Sequence, residues 1–287
     1  MDRIPIRRAM LGVILLAAST GCGSQDEEIA QRSVALEFAA KVGGEPFACG
    51  ATFTGLGSTK TTANPLDFRM YVHDVRLVRP DGSEAPIALE QDGRWQRDDI
   101  AFLDFEDGTG TCETGSPETR TQIVGDVPAG EYVGVAFNVG LPPEMNHLDA
   151  ATAPAPLNIP GMWWSWKGGY KFVRLELRTT ANPTYFFHLG STSCEGSVKD
   201  GFSCAASNQA EIRLDGFDPD TKSIVFDIAS FYAGSDLDLQ IDPMTDGVSG
   251  CMAFAGDPEC PPVFEALGMS FEGQTPGNGE QTAFRVE

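Results

Sequence analysis

Apolar and polar residues alternate in short stretches along most of this 287-residue chain. A period of two sends successive side chains to opposite faces of an extended strand, so each stretch predicts a half-buried β-strand. The stretches are rich in Val, Phe, Tyr and Ile, which favour strands. The predicted strands cover residues 34–38, 68–78, 132–139, 170–177, 185–189, 212–214, 223–228 and 237–241.

Tight turns and two long irregular stretches separate these strands. Pro80-Asp81-Gly82, Pro128-Ala129-Gly130 and Asp218-Pro219-Asp220 have the composition of turns. Residues 140–160 and 247–279 are rich in glycine or proline and show no helical period. We therefore predict an all-β fold, a sandwich or barrel-like antiparallel body with long, irregular, disulfide-stapled loops, formed by one domain over residues 34–287.

The N-terminus has the pattern of a bacterial export signal. Three arginines precede an apolar run over residues 9–18, which is too short to span a bilayer and predicts a signal peptide at residues 1–21. Ser19-Thr20-Gly21-Cys22 resembles a lipoprotein cleavage site at which Cys22 is acylated, although Ser19 replaces the Leu-like residue of that pattern. Residues 22–33 would then tether the domain to the periplasmic face of the envelope membrane. Cleavage without acylation is the alternative.

Six cysteines remain when Cys22 is set aside. An even number in an exported protein predicts disulfides. Proximity favours Cys194–Cys204 and Cys251–Cys260, which leaves Cys49 and Cys112 as the third pair, although other pairings stay open. A metal–thiolate site is the weaker alternative, because the sequence contains no C-x-x-C.

Composition narrows the classes of function. The formal net charge of −21 would repel a phosphate backbone, so we expect no nucleic-acid partner. The chain has three histidines and contains neither G-x-S-x-G nor H-E-x-x-H, so hydrolase chemistry has no support. We expect a binding protein and not an enzyme.

Three of the four tryptophans lie within four consecutive positions. On an extended backbone Met162, Trp164 and Trp166 share one face, whereas Trp163 points away. Such a cluster commonly caps a core or forms a stacking platform. A thioether on the same face is also suited to Cu(I), and the predicted strand with His188 would bring an imidazole to it.

Seven short motifs, in their order along the chain, resemble the MbnP-like proteins. They are Pro46-Phe47-Ala48-Cys49, Tyr71-Val72-His73-Asp74-Val75-Arg76-Leu77, Asn146-His147, Pro156-Leu157-Asn158, Met162-Trp163-Trp164-Ser165-Trp166, Gly169-Tyr170-Lys171-Phe172 and His188-Leu189-Gly190-Ser191-Thr192-Ser193-Cys194. The W-x-W followed by G-Y-K-F, together with H-L-G-S-T-x-C, is the specific combination. These proteins, also called metallo-mystery pair four-Cys motif proteins, are periplasmic copper-binding partners of MauG-like diheme cytochrome c peroxidases.

The resemblance implies a modified tryptophan. The first Trp of W-x-W, here Trp164, would be oxidised to kynurenine by the diheme partner, with Trp166 as a supporting aromatic residue. One Cu(I) would be bound nearby. The four family cysteines would be Cys49, Cys112, Cys194 and Cys204.

The resemblance also implies that a His and a Met hold the copper. Met162 is the expected thioether because it lies two residues before Trp164, and Met145 is the alternative. His188 is the expected imidazole, followed in order by His147 and His73.

The implied function is copper binding in periplasmic copper homeostasis. Two other classes remain open. One is a carbohydrate- or ligand-binding β module that uses the Trp163–Trp166 cluster as a stacking platform. The other is a structural envelope lipoprotein.

Overall fold

A computed structural model describes residues 30–241, 247–272 and 280–287. The predicted signal peptide, Cys22 and residues 22–29 of the predicted tether lie outside these ranges. The first strand begins at Gln31 and so takes up the end of that tether. No helix in the described ranges is long and apolar enough to cross a membrane.

The described chain forms twenty strands, two short α-helices and one 3-10 turn. The strands are β1 (Gln31–Val42), β2 (Glu45–Pro46), β3 (Phe53–Leu56), β4 (Thr61–Val78), β5 (Glu84–Pro86), β6 (Ala88–Leu89), β7 (Gln96–Arg97), β8 (Ile100–Asp104), β9 (Gln122–Pro128), β10 (Gly134–Val139), β11 (Trp163–Ser165), β12 (Gly169–Tyr170), β13 (Val173–Thr179), β14 (Tyr185–Leu189), β15 (Thr192–Ser197), β16 (Gly201–Ala206), β17 (Ala210–Asp215), β18 (Ser223–Asp227), β19 (Gly250–Cys251) and β20 (Phe284–Val286). The helices are α1 (Ile228–Phe231) and α2 (Cys260–Ala266), and the 3-10 turn covers Pro160–Met162.

Two large sheets make the body of the protein. The first has the order β20-β18-β1-β9-β6, with β2 paired to β1, and the second has the order β17-β10-β4-β13-β14-β19. Strands β3, β5 and β8 also pair with the 18-residue β4, and β7 pairs with β8. Two small sheets, β11-β12 and β15-β16, lie outside these two.

Strands β10 and β13 pair with the same edge of β4 and meet at Tyr71. β10 ends opposite Val72, and β13 begins opposite Met70. Between them, Tyr71 accepts a hydrogen bond from the N–H of Gly140 (2.9 Å) and donates its own N–H to the carbonyl of Phe172 (2.8 Å). The segment between Gly140 and Phe172, called here the insertion, therefore leaves the sheet and returns to it at one point.

The two large sheets pack face to face through aromatic side chains. Phe38 of β1 contacts Phe137 of β10 with ring centroids 5.5 Å apart, and Phe226 of β18 lies 5.0 Å from Phe68 of β4. Each fully buried phenylalanine stabilises the fold by roughly 1.5–3 kcal/mol relative to exposure. The predicted all-β, sandwich-like fold with disulfide-stapled loops is confirmed.

The strand predicted at residues 237–241 does not form, and the chain makes a turn there. The carbonyl of Leu237 accepts a hydrogen bond from Asn182 Nδ2 (3.0 Å), and the carboxylate of Asp238 accepts one from Thr61 Oγ1 (2.8 Å). A side chain thus satisfies the backbone carbonyl that a neighbouring strand would otherwise bond, and the carboxylate of Asp238 ties the turn to β4. The alternation of Leu and Asp comes from a turn that packs Leu237 into the core.

Two helices appear where none was predicted. The carboxylate of Asp227 accepts from the N–H groups of Ala229 and Ser230 and so caps α1 directly after β18. Helix α2 lies inside the segment that was expected to be irregular, and prolines in its first turn favour its start. Both helices are too short to show a clear helical period in the sequence.

All six cysteines of the described chain form disulfides. The pairs are Cys49–Cys112, Cys194–Cys204 and Cys251–Cys260. These are the pairs that sequence proximity favours. Cys194–Cys204 joins β15 to β16, and Cys251–Cys260 joins β19 to α2.

Candidate metal centre

One face of the larger main sheet carries charged side chains although it is buried. On β13 three apolar residues belong to the core, and Arg174 and Glu176 alternate with them on the opposite face. His188 of β14 pairs directly with Arg174 and therefore lies on that same charged face. Both Glu176 and His188 are nearly inaccessible to solvent, at 6% and 4% exposure.

Glu176 holds the imidazole of His188. Nε2 of His188 lies 2.7 Å from Oε1 of Glu176. Burial alone would raise the pKa of Glu176, but hydrogen bonds from His188 and Arg174 outweigh it and lower that pKa to about 2. Burial also lowers the pKa of His188; the bond to Glu176 opposes this, and the positive charge of Lys171 adds to it. The pair is thus an ionised carboxylate and a neutral imidazole whose Nε2–H donates.

The second ring nitrogen of His188 carries a free lone pair. When Nε2 bears the proton of a neutral imidazole, Nδ1 is an acceptor. Nδ1 is buried and has no hydrogen-bond partner within residues 30–241, 247–272 and 280–287. Leaving a buried polar atom unpaired costs about 1–3 kcal/mol, so an atom of this kind calls for an explanation. A bound metal ion would use the lone pair.

Arg174 links Glu176 to further buried charges. Its Nε and Nη2 donate to the two carboxylate oxygens of Glu176 at 2.6 and 3.1 Å, and its Nη1 lies 3.2 Å from Asp67. Arg69 donates to Asp67 in turn and lies 4.0 Å from Glu106. Glu176 is therefore the end of a row of alternating charges and has little freedom to turn.

The insertion covers this charged face. In its 3-10 turn Gly161 lies against the guanidinium groups, where an added Cβ would be 3.1 Å from Nη1 of Arg174. The carbonyl of Met162 accepts from the N–H of Lys171 (2.7 Å), and Lys171 Nζ donates to the carbonyl of Gly161 (2.8 Å). Burial, followed by the positive charge of Arg174, lowers the pKa of Lys171 to about 8. Met162, which is fully buried, belongs to this cover.

Trp164 lies beside His188. The two ring centroids are 6.5 Å apart, and Phe254 lies 5.7 Å from Trp164. The indole rests on the backbone of Gly190, where an added Cβ would be 2.5 Å from Cζ3 of the indole. Its Nε1 is buried and has no hydrogen-bond partner in the described part of the chain. The structure thus brings together the predicted oxidised residue and the first-ranked imidazole.

The other tryptophans of the cluster pack on each other. The rings of Trp163 and Trp166 are nearly perpendicular, with centroids 5.7 Å apart. Trp163 also packs against the core, and Trp166 is 40% exposed. Perpendicular rings do not offer the flat surface on which a sugar would stack, so this arrangement gives the stacking-platform hypothesis little support.

His147 lies on the other side of the tryptophan motif. Its Nδ1 is 3.0 Å from the carbonyl of Trp166, and its Nε2 is 3.3 Å from Sγ of Cys204. Its ring stacks on Phe202 with centroids 4.6 Å apart. Both nitrogens of His147 therefore have neighbours, unlike those of His188.

The remaining candidates lie near the start of the insertion. His73 on β4 is buried, with Nδ1 3.0 Å from the carbonyl of Gly140. Met145 is partly buried and packs against the core, and its N–H donates to the carbonyl of Pro142 (3.0 Å). These contacts give both residues a place in the packing of the fold.

The six disulfide-bonded cysteines of the described ranges do not provide a thiolate metal site. Three groups of His, Cys and acidic residues in the described ranges have donor atoms close enough to hold an ion, and each contains both halves of a disulfide. A sulfur in a disulfide is not a thiolate and is a poor ligand. The buried imidazole of His188, with an unpartnered Nδ1 among the described residues, is a ligand that suits copper better.

Two further residues of this region, Met252 and Phe254, were not predicted from the sequence. β19 pairs in parallel with β14, and Cys251 lies opposite Phe187. Met252 comes directly after Cys251 in the chain, and His188 comes directly after Phe187. The parallel register of β19 and β14 therefore directs the chain at Met252 toward His188. Met252 also lines a cavity of about 350 Å³ together with Phe254. Neither residue belongs to a recognisable pattern in the sequence.

The sequence contains a pattern that points to Glu176 and that the prediction did not use. It and Arg174 are charged residues at alternate positions of a strand whose remaining positions are apolar and buried. Such a strand has its second face either in water or against other charges.

Comparisons with known proteins agree with the motifs in the sequence. The model of the MbnP family matches residues 31–253. MbnP from Methylosinus trichosporium has a solved structure that superposes with a TM-score of 0.79 at 32% sequence identity, covering 90% of this chain and 99% of that one. No curated protein sequence matches. Because the family match covers most of the chain and the solved relative shares the fold at 32% sequence identity, this chain belongs to the MbnP family.

Proposed function

We propose that this protein is a periplasmic copper-binding protein that holds one Cu(I) beside Trp164. In this proposal a MauG-like diheme partner first oxidises Trp164 to kynurenine, and His188 supplies the imidazole. The protein would act in copper homeostasis without turnover of its own. Membership of the MbnP family supports a copper-related role, and the surroundings of Trp164 support the position of the site.

The observation that carries the proposal is the free Nδ1 of His188. It is buried, lies in a ring that contacts Trp164, and has no partner among the described residues. A metal-binding histidine almost always donates its other N–H to a carboxylate, a carbonyl or a water, and His188 donates to Glu176. A buried, neutral imidazole is a ligand suited to the reduced copper ion.

The second donor in the proposal is a thioether. Met162 is the expected donor. Its carbonyl accepts from the N–H of Lys171. The residue after Lys171 is Phe172, and its N–H donates to the carbonyl of Leu189, which directly follows His188 (2.6 Å). Met252 is the second candidate, because it directly follows β19, which pairs with the strand of His188. The variants Met162→Leu and Met252→Leu keep the volume of the side chain and remove the sulfur, so copper affinity separates the two.

Oxidation of Trp164 would change the chemistry of the site. Two equivalents of peroxide, consumed by the diheme peroxidase, would cleave the C2–C3 bond of the indole and add one oxygen atom to each carbon, and hydrolysis would then release C2 as formate. This leaves an aryl ketone and an aromatic amine, which are polar groups beside His188. Such groups can orient a bound water or contact a metal ion directly. The buried Nε1 of Trp164, unpaired in the described part of the protein, indicates that the present surroundings do not satisfy the unmodified indole fully.

Access from the surface supports oxidation by a partner protein. Phe254 is 51% exposed and Trp166 is 40% exposed, and Phe254 contacts Trp164. Phe254 would connect Trp164 to a docked diheme protein, and Trp166 would belong to the same exposed surface. The export signal predicted at residues 1–21 would take the chain to the compartment where c-type hemes mature, and acylation of Cys22 would keep it at the membrane.

The test is co-expression with a diheme peroxidase of the MauG type. We expect intact-mass and peptide analysis to place an oxidative change on Trp164, and metal analysis to find about one copper per chain. Trp164→Phe should lose both. Trp95→Phe is the matched control, because Trp95 stacks on Phe102 away from the motif and its loss should change neither.

Other outcomes would lead to other functions. Equal copper binding by a protein whose Trp164 stays unmodified would overturn the role of oxidation. Binding of glycans without metal would instead favour the stacking-platform hypothesis. A Trp164→Phe protein changed only in stability would favour a structural lipoprotein.

A further inference from the structure

Glu176 is the one acidic side chain hydrogen-bonded to an imidazole in the described part of the protein. Its Oε1 accepts from Nε2 of His188 while both its oxygens accept from Arg174. An ionised carboxylate cannot donate a hydrogen bond. Because both oxygens of Glu176 already accept from Arg174, Nε2 of His188 is the donor in this contact, and Nδ1, unpartnered among the described residues, is the nitrogen left to offer a lone pair.

We propose that Glu176 is a positioning residue: held by Arg174, it fixes the tautomer and the ring orientation of His188 so that Nδ1 is the nitrogen that binds the metal. The metal in this statement is that of the proposed function, on which the inference rests. The tautomer and its dependence on Glu176 stand on the geometry alone.

The anchoring of Glu176 makes this role specific. Arg174 contacts Glu176 through two nitrogens and Asp67 through a third, and Asp67 is bonded to Arg69. The backbone of Gly161 closes over Arg174, and Glu176 itself is only 6% exposed. A His188 rotamer that turned Nδ1 toward Glu176 would break this arrangement. The need to hold one orientation of the ring is a reason for placing a buried charged carboxylate beside a neutral imidazole.

The arrangement differs from those of the other two histidines. In His147 and His73, Nδ1 lies 3.0 Å from a backbone carbonyl, which places the proton of a neutral ring on Nδ1. The tautomers on this chain should therefore divide into one Nε2–H form, His188, and two Nδ1–H forms. With three histidines in the sequence, the assignment can be measured directly.

The test is long-range ¹H–¹⁵N correlation NMR on the mature, metal-free chain labelled with ¹⁵N-histidine. We expect the His188 signals, assigned from a His188→Gln variant, to show an Nε2–H tautomer. In Glu176→Gln the amide can donate or accept, so the tautomers of His188 should become mixed. Glu84→Gln is the matched control, because Glu84 also accepts from two arginines but lies away from His188.

Copper affinity completes the test. On protein from cells that also make the diheme partner, competition with a chromogenic Cu(I) chelator should show binding weaker by about 10–100-fold in Glu176→Gln, and unchanged binding in Glu84→Gln. A wild-type His188 with its proton on Nδ1, or an unchanged tautomer and affinity in Glu176→Gln, would overturn the proposal. A wild-type protein that shows the expected tautomer but binds no copper would instead overturn the proposed function.

Discussion

Glu176 and His188 form a buried pair, 2.7 Å apart, in which the carboxylate accepts the Nε2–H of the imidazole. The pair leaves Nδ1 of His188 unbonded within the described ranges, on the face that also contacts Trp164. Glu176 and His188 are 12 residues apart in the chain and meet through the antiparallel pairing of β13 and β14. The chemistry of the candidate site therefore depends on the register of two strands.

Replacing the histidines one by one should show which imidazole binds the copper ion and which ones only lie near the site. His188→Gln keeps a hydrogen-bond donor toward Glu176 but lacks the imidazole lone pair. Cu(I) binding should therefore weaken by more than about 100-fold, which exceeds the loss expected for a residue that only hydrogen-bonds to a metal ligand. His147→Gln and His73→Gln should stay within a few-fold of wild type. The measurement is chelator competition on the oxidised, folded variants. Loss of copper in His147→Gln with retention in His188→Gln would reverse the ranking of the imidazoles.

Gly190 should be intolerant of any side chain. An added Cβ would lie 2.5 Å from the indole of Trp164 and 2.6 Å from the carbonyl of Tyr170. Gly190→Ala should lower the free energy of unfolding by about 1–3 kcal/mol and displace Trp164. Chemical unfolding measures the first effect, and the yield of oxidised Trp164 measures the second. Gly130→Ala, with open space around its Cβ, should behave as wild type, and equal behaviour of the two variants would contradict the packing described here.

Asp104 should make stability depend on pH. Burial, followed by the nearby charge of Glu106, raises the pKa of Asp104 from 3.8 to about 8. A raised carboxyl pKa favours the neutral form in the folded state, so its stabilising contribution is complete below pH 4 and is lost as the pH rises through about 8. The stability of the wild type should therefore fall relative to Asp104→Asn between pH 5 and pH 8, by up to about 1.4 kcal/mol per pH unit.

Urea unfolding at the two pH values measures this difference. Asp215→Asn, which removes an exposed carboxylate, is the control and should show no comparable trend. A constant difference between wild type and Asp104→Asn across this range would show that Asp104 stays ionised in the folded protein.

The disulfides should stabilise the fold without taking part in copper binding. Cys49–Cys112 spans 63 residues and Cys251–Cys260 spans 9, so loop-closure entropy predicts losses of about 4 and about 3 kcal/mol when each pair is replaced by serine. Unfolding in denaturant checks this order. Copper binding by the folded remainder should persist, because the proposed donors are an imidazole and a thioether. Loss of copper from a folded double-serine variant would contradict that donor set.

Much of the framework could be predicted from local sequence. The alternation in β1, β10, β13, β14 and β18 identified real strands, and the even number of cysteines indicated disulfides. Local patterns failed where polar groups were satisfied by side chains, as at Leu237, whose carbonyl bonds to Asn182 and not to a strand. They failed again for β8, whose five residues are all buried and so show no alternation, and for β9, where Gly125 occupies a buried position and interrupts the apolar pattern.

The sequence by itself determined the kind of fold, the tryptophan motif and the set of possible donors, because a period of two and the identities of side chains are properties of the chain. Only the tertiary structure decided which donors meet. Sheet register places Glu176 against His188, the insertion folds Met162 over that face, and the parallel strand β19 leads Met252 toward it. These contacts join residues far apart in the chain, and the packing that selects them is a property of the whole sandwich.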